Sequence, residues 1–150
     1  PQPAPVFDAV KASSTRGYDT DSTNGEIVYY YPRYAVDGDM RTAWTPDRDV
    51  DSYEPSITIT ANDEQYVTGI RMTNGYCKSE KTYTKNRRIT KVRISYDGGE
   101  KIASFSKDNY QNMIEVEFDE PVYTDYITIT VLESVDGGWH DIAISEIEAY

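Results

Sequence analysis

A single cysteine, Cys77, excludes an internal disulfide and any cysteine-rich zinc site in this chain of 150 residues. The only histidine, His140, stands beside no recognisable serine or cysteine nucleophile motif, which argues against nucleophilic hydrolysis. No apolar run approaches the roughly 20 residues that a helix needs to cross a bilayer, so no membrane insertion is expected. Basic residues are the minority, 15 Lys and Arg against 26 Asp and Glu, a net charge of −11. A field of that sign repels phosphate backbones, so no nucleic acid and no anionic lipid is expected as partner, whereas divalent cations are suited to it. Helical periodicity is also missing: nowhere do apolar residues recur at helical spacing for more than a turn or two.

What is present is tyrosine, 14 of them against 2 Trp and 3 Phe. Tyr suits strands because it has one apolar face and one wet end, and an exposed Tyr also stacks on sugar rings. Apolar residues at 38% and charged ones at 27% describe one ordinary globular domain. The polar opening Pro1-Gln2-Pro3-Ala4-Pro5 reads as a semi-rigid linker over residues 1–9, which makes residues 10–150 an expected module of a longer, exported protein.

Period-two alternation runs through the second half, in Ile57-Thr58-Ile59-Thr60 and in Tyr126-Ile127-Thr128-Ile129-Thr130-Val131. Val92-Arg93-Ile94-Ser95-Tyr96 faces Ile102-Ala103-Ser104-Phe105 across Asp97-Gly98-Gly99, a hairpin signal. Further strands are predicted at residues 67–73, 113–118 and 143–150, and Asp119-Glu120-Pro121 is expected to break one strand from the next. Short strands with frequent turns predict a β-sandwich or jelly roll. Residues 15–51 are different: long, rich in Tyr and Asp, with little alternation. An irregular stretch of that length is normally functional or held by something.

Within it, Asp37-Gly38-Asp39 is followed three residues later by Thr42. Such a turn can point carboxylates, carbonyls and a hydroxyl at one hard cation, or it can be a solvated turn. Together with Trp44 and the ending Ile144-Ser145-Glu146-Ile147-Glu148, it resembles the discoidin and coagulation-factor type C family, which is similar in fold to many bacterial carbohydrate-binding modules. The resemblance implies an all-β, discoidin-like (galactose-binding-like) β-sandwich jelly roll with a structural Ca²⁺. It maps the ligands onto the carbonyl of Tyr34, Asp37, Asp39, the carbonyl and hydroxyl of Thr42, the carbonyl of Ser145, and Glu146. Trp44 and Ala43 would be core beneath the turn. A disulfide often joins the termini in that family, and a metal tying the turn to the last strand would replace it here.

Three stretches narrow the resemblance. Gly69-Ile70-Arg71-Met72-Thr73-Asn74-Gly75-Tyr76-Cys77-Lys78, then Tyr83-Thr84-Lys85-Asn86-Arg87, then the Ile-Ser-Glu-Ile-Glu ending occur in the order seen in the NADase-type glycan-binding domain. The name records attachment to a hydrolase, and the resemblance implies no catalysis. Glycoside hydrolysis usually wants two carboxylates about 5–9 Å apart, but among 26 acidic residues some such pair arises by chance and decides nothing. Sugar recognition instead wants an aromatic face with charged or amide side chains around it. Three loops have that make-up: Tyr31 and Arg33 before the acidic turn; Asn74, Tyr76, Lys78, Tyr83, Asn86 and Arg87 in the middle; and Trp139 with His140 after Gly137-Gly138. The expected function is a non-catalytic, monomeric glycan-binding module of a larger bacterial protein, extracellular or on the cell surface. The alternative is a protein-interaction or spacer domain on the same fold.

Overall fold

The computed structural model describes residues 4–47 and 54–150. Pro1, Gln2 and Pro3 of the expected linker, and residues 48–51 of the irregular stretch, lie outside the described residues. Among the described residues the strands are β1 (Ala9–Ala12), β2 (Asp19–Thr20), β3 (Ile27–Val28), β4 (Ser56–Met72), β5 (Arg88–Tyr96), β6 (Gly99–Ser104), β7 (Ile114–Val135) and β8 (Ile147–Ala149). A 3₁₀ turn covers Pro32–Val36, and one short helix, α1, covers Glu80–Lys85.

All strand pairs are antiparallel. The main sheet runs β1-β4-β7-β5-β6 with β8 on the far part of β4, while β2 and β3 form a separate ribbon. The two long strands slip register between Thr60 and Gln65 and again between Val67 and Gly69. Bulges of this kind let one strand leave one layer and enter the other, which is how a single hydrogen-bonded sheet makes a sandwich. The alternating isoleucines meet in register, Ile57 with Ile129 and Ile59 with Ile127, and share one buried core with Ile70, Met72, Ile89 and Ile94. On the other face of the same pair, Thr58 and Thr128 join hydroxyls at 2.7 Å. Trp44 lies in that core, fully buried, its indole N–H donating to the Ser14 carbonyl at 3.0 Å.

Two expectations are corrected. Asp119-Glu120-Pro121 does not end a strand: β7 continues through it. Val122 pairs with Val67 and Glu117 with Gly69, so residues 118–121 form the bulge itself, where a proline's missing N–H removes no ladder bond. The expected linker is also shorter than residues 1–9. Val6 exchanges two hydrogen bonds of 2.9 Å with the Gln65 amide, Phe7 packs against the core, and Ala9 opens β1. The expected hairpin forms, with Gly98 supplying the positive φ of +88° in the turn between Tyr96 and Gly99.

Candidate functional site

Residues 141–147 are all buried although only the last belongs to a strand. Each stretch of this closing segment bonds to a different loop. The Asp141 carbonyl accepts from the Arg87 N–H at 2.7 Å, and Ile144 exchanges two backbone bonds of 3.0 Å with Trp44. Ser145 Oγ accepts from the Cys77 N–H at 2.9 Å, and Glu146 Oε1 from the Gly38 N–H at 2.7 Å. The segment therefore gathers the irregular parts of the chain at one end of the sandwich.

A cleft of about 610 Å³ opens there, between the β2–β3 ribbon, the Tyr76–Asn86 region and the Trp139 loop. Tyr30 and Tyr76 line it, both buried, their rings edge to face with centroids 6.3 Å apart. Burial pushes both phenols above the ordinary tyrosine range. Trp139 also lines it and is 44% exposed, unusually open for so large an apolar side chain. Lys81 holds its ammonium 5.8 Å from the Trp139 ring centroid. Lys78 lines the cleft with a long ion-pair contact to Asp21, 3.9 Å. Asn86 ends α1, donating from both its backbone N–H and its side-chain amide to the Thr82 carbonyl, and is a lining residue as well. The facing wall is Arg16, Asp19 and Asp21. Arg16 bridges Asp141 at 3.3 Å and Asp19 at 3.2 Å, with its guanidinium 5.3 Å from the Tyr30 ring centroid.

Of the residues proposed for sugar contact, Trp139, Tyr76, Lys78 and Asn86 come together at this cleft. The others do not line it. Asn74 is fully buried, its amide donating to the carbonyls of Ile89, Ser106 and Lys107 and accepting from the Tyr83 hydroxyl. Tyr83 is buried beside it and accepts from the Asn109 N–H, so these two side chains are scaffold for the neighbouring loop. Arg87 donates to the His140 carbonyl and to Ser134 Oγ and pairs with Asp136, holding the Trp139 loop from behind. His140 turns its ring to Asp136, away from the cleft lining, at a positive φ of +67°. Tyr31 and Arg33 belong to an outer aromatic row in which Tyr29 stacks on Tyr31 at 5.3 Å and the Arg33 guanidinium lies 4.5 Å from the Tyr31 centroid. The row faces out because Tyr30, between Tyr29 and Tyr31, points in. Arg16, Asp19, Asp21 and Lys81 were missed. The only signal for the first three was the length of the irregular stretch that carries them.

The Trp139 loop is positioned by close approach. A Cβ on Gly137 would stand 1.9 Å from the Thr84 carbonyl oxygen, so only glycine lets the loop lie against α1. Gly138 takes φ +115°, and the Trp139 N–H donates to the Lys85 carbonyl at 2.9 Å. The Asp136 carboxylate caps the turn by accepting from the Gly138 N–H, and that bond, together with His140, holds its pKa below the usual range.

The acidic turn lies elsewhere on the closing segment. The Thr42 hydroxyl is within hydrogen-bond distance of Asp37 Oδ2, the Asp39 carbonyl and the Tyr34 carbonyl. Glu146 is buried next to Asp37. Burial first, and the Asp37 carboxyl after it, push its pKa up to about 8 against the bond from Gly38. The Asp39 carboxylate turns away, held by Arg41 through Nε at 3.1 Å and Nη2 at 3.2 Å. What Asp39 brings to the cluster is its carbonyl. Among the described residues no three Asp, Glu, His or Cys side chains gather around one metal position.

The model of the family described as NAD glycohydrolase translocation F5/8 type C domain matches residues 5–150. No curated protein sequence matches the chain. Among solved structures it is similar to the family 32 carbohydrate-binding module of Clostridium perfringens NanJ in complex with galactose, with a TM-score of 0.68 and 22% identity over 94% of this chain and 91% of that one. It is also similar to the corresponding module of AlyQ in complex with 4,5-unsaturated mannuronic acid, with a TM-score of 0.68 and 17% identity over 99% and 98% of the two chains. A glycoside hydrolase gives a TM-score of 0.68 and 20% identity over all of this chain and 32% of its own length. These likenesses show the discoidin-like jelly-roll fold that the acidic turn, Trp44 and the closing stretch implied.

The clamp behind the Trp139 loop is directly testable. Arg87→Ala removes charge-assisted bonds from a half-buried position and should cost about 1–3 kcal/mol in urea unfolding. It should also raise acrylamide quenching of the exposed tryptophan. Unchanged quenching and stability would show that the loop holds its place without Arg87.

Proposed function

The chain belongs to the family of NAD glycohydrolase translocation F5/8 type C domains, and on that premise we propose that it is a non-catalytic carbohydrate-binding module. It tethers a larger bacterial, extracytoplasmic protein to glycans. The observation that carries this reading is the cleft with Trp139 open at its rim and Tyr76, Lys78 and Asn86 beside it. A pyranose has one face of C–H groups, which stacks on an indole. Its rim of hydroxyls needs donors and acceptors set close together, here an ammonium, an amide and carboxylates. The sugars in the NanJ and AlyQ modules are bound by proteins of this same fold. Within the cleft, Asp19 and Asp141 are both tied to Arg16. A carboxylate taken up by a guanidinium is committed to an ion pair rather than open to a scissile bond. No helix among the described residues is long and apolar enough to cross a membrane. A half-open, polar cleft implies weak affinity per module, strengthened when several modules or domains engage one surface.

The same reading includes a structural Ca²⁺ at the acidic turn, held by the Tyr34 carbonyl, Asp37, the Asp39 carbonyl, Thr42, the Ser145 carbonyl and Glu146. The donor set fits: every candidate atom is a hard oxygen, and carbonyls and a hydroxyl complete what two carboxylates begin. Burial, with the Asp37 carboxyl beside it, raises the Glu146 pKa, and a divalent ion held there would favour the charged form. When bound, the ion would join the acidic turn to the segment before β8.

Two outcomes are expected. On a glycan array the module should give specific signals that Trp139→Ala abolishes while its melting temperature stays within about 1 °C, since an exposed rim residue adds little to stability. An array at background with folded protein would favour the spacer reading. Calcium at a hundredfold excess over its Kd should stabilise by about 2.7 kcal/mol, a rise of roughly 5–10 °C that EDTA removes and Glu146→Gln prevents. A melting curve indifferent to both calcium and EDTA would dismiss the metal.

A further inference from the structure

Three cations and three carboxylates line the cleft among the described residues: Arg16, Lys78 and Lys81 against Asp19, Asp21 and Asp141. They are not mixed evenly. Arg16 is committed to Asp141 and Asp19 on the β2–β3 side, at 3.3 and 3.2 Å. Lys78 reaches Asp21 only at 3.9 Å, on a side chain 40% exposed. Lys81 makes no ion pair among the described residues and rests against the Trp139 ring at 5.8 Å. The remaining charge of the chain is strongly negative, but beyond about 8 Å it is screened at physiological ionic strength. At the Trp139 ring the lining charge that no ion pair takes up is therefore the Lys81 ammonium, while the Arg16 cluster on the other wall keeps one carboxylate charge over.

We propose that the cleft selects glycans containing hexuronic acids, with the sugar ring on Trp139 and its C6 carboxylate received by Lys81 and Lys78. This rests on the glycan-binding reading of the same cleft. A hexose and its uronic acid differ only at C6, a hydroxymethyl against a carboxylate. Lysine is suited to the second because its ammonium is a compact point charge on a long stem that adjusts to the ring. The facing wall supports the selection. With Arg16 taken up by two aspartates, the β2–β3 side offers acceptors for ring hydroxyls and no competing cation, so the acid group is directed to the lysine side. The cation at the indole also makes the Trp139 surface less favourable to a positively charged amino sugar.

The test compares matched methyl glycosides, hexose against hexuronic acid, in the galacto, gluco and manno series, by calorimetry or ligand-observed NMR. In at least one series the acid should bind roughly five-fold tighter, the scale of an exposed ion pair. That ratio should shrink between 50 and 200 mM salt. It should fall toward one in Lys81→Gln and further in the Lys78→Gln, Lys81→Gln double variant, and Lys81→Arg should keep most of it. Equal or tighter binding of the neutral sugar in all three series overturns the selection and leaves the glycan-binding reading intact. So does an acid preference indifferent to both lysines. Binding of no sugar at all, acid or neutral, overturns both.

Discussion

Two backbone hydrogen bonds between Trp44 and Ile144, each 3.0 Å, hold the closing segment of the chain against the end of its irregular first third. Much of what the molecule offers at that end depends on this contact. The segment follows β7, runs buried for seven residues, and enters β8 on the far part of β4. On its way it fixes Arg87 through Asp141, Cys77 through Ser145, and Gly38 through Glu146. A small module with one cysteine cannot staple these loops covalently. It uses a buried segment whose backbone bonds, Asp141 with Arg87, Ile144 with Trp44 and Glu146 with Thr73, reach separate parts of the chain, with the indole of Trp44 buried beneath it as the packing anchor. Buried main chain without partners would be costly, so the loops are selected as much for the bonds they give this segment as for what they present to solvent.

The strands were largely legible because period-two alternation records burial directly: Ile57, Ile59, Ile127 and Ile129 are core, and the threonines between them face outward. The break expected at Pro121 was misread for a physical reason. Proline forbids a ladder bond, and a bulge is a place within a strand that lacks one, so the same residue fits either. No local pattern distinguishes the two without the partner strand. The helix α1 was equally hard to see, because six residues are too few for a periodicity, although Ser79 and Thr82 do form a reciprocal cap at its start.

The site was half legible, and the division is informative. Signature residues split into two kinds once folded. Lys78 and Asn86 line the cleft, whereas Asn74, Tyr83 and Arg87 shape the loops that make it. A polar side chain that satisfies buried carbonyls and one that meets a ligand look alike in a sequence; burial separates them. The β2–β3 wall lies some sixty residues from the middle signature, and no spacing rule connects Arg16 to Asp141. The two glycines before Trp139 gave no sign of their role, which the structure shows for Gly137: the Thr84 carbonyl of α1 stands where a Cβ would be. Rigid placement of one exposed indole by a glycine approach and an arginine clamp is what a recognition loop requires.

On the proposed reading, ligand is met at the Trp139 cleft and nowhere else on the sandwich. Tyr66 and Tyr123 provide an internal control, an exposed aromatic pair at 4.8 Å beside the bulges of β4 and β7 and absent from the cleft lining. Amide and indole chemical shifts of ¹⁵N-labelled protein, followed during titration with the sugar that binds best, locate that contact. Shifts are expected at the Trp139 indole and at the amides of Lys78, Lys81 and Asn86, with Tyr66 and Tyr123 unmoved. Shifts centred on Tyr66 and Tyr123, or on the outer row of Tyr29 and Tyr31, would contradict it.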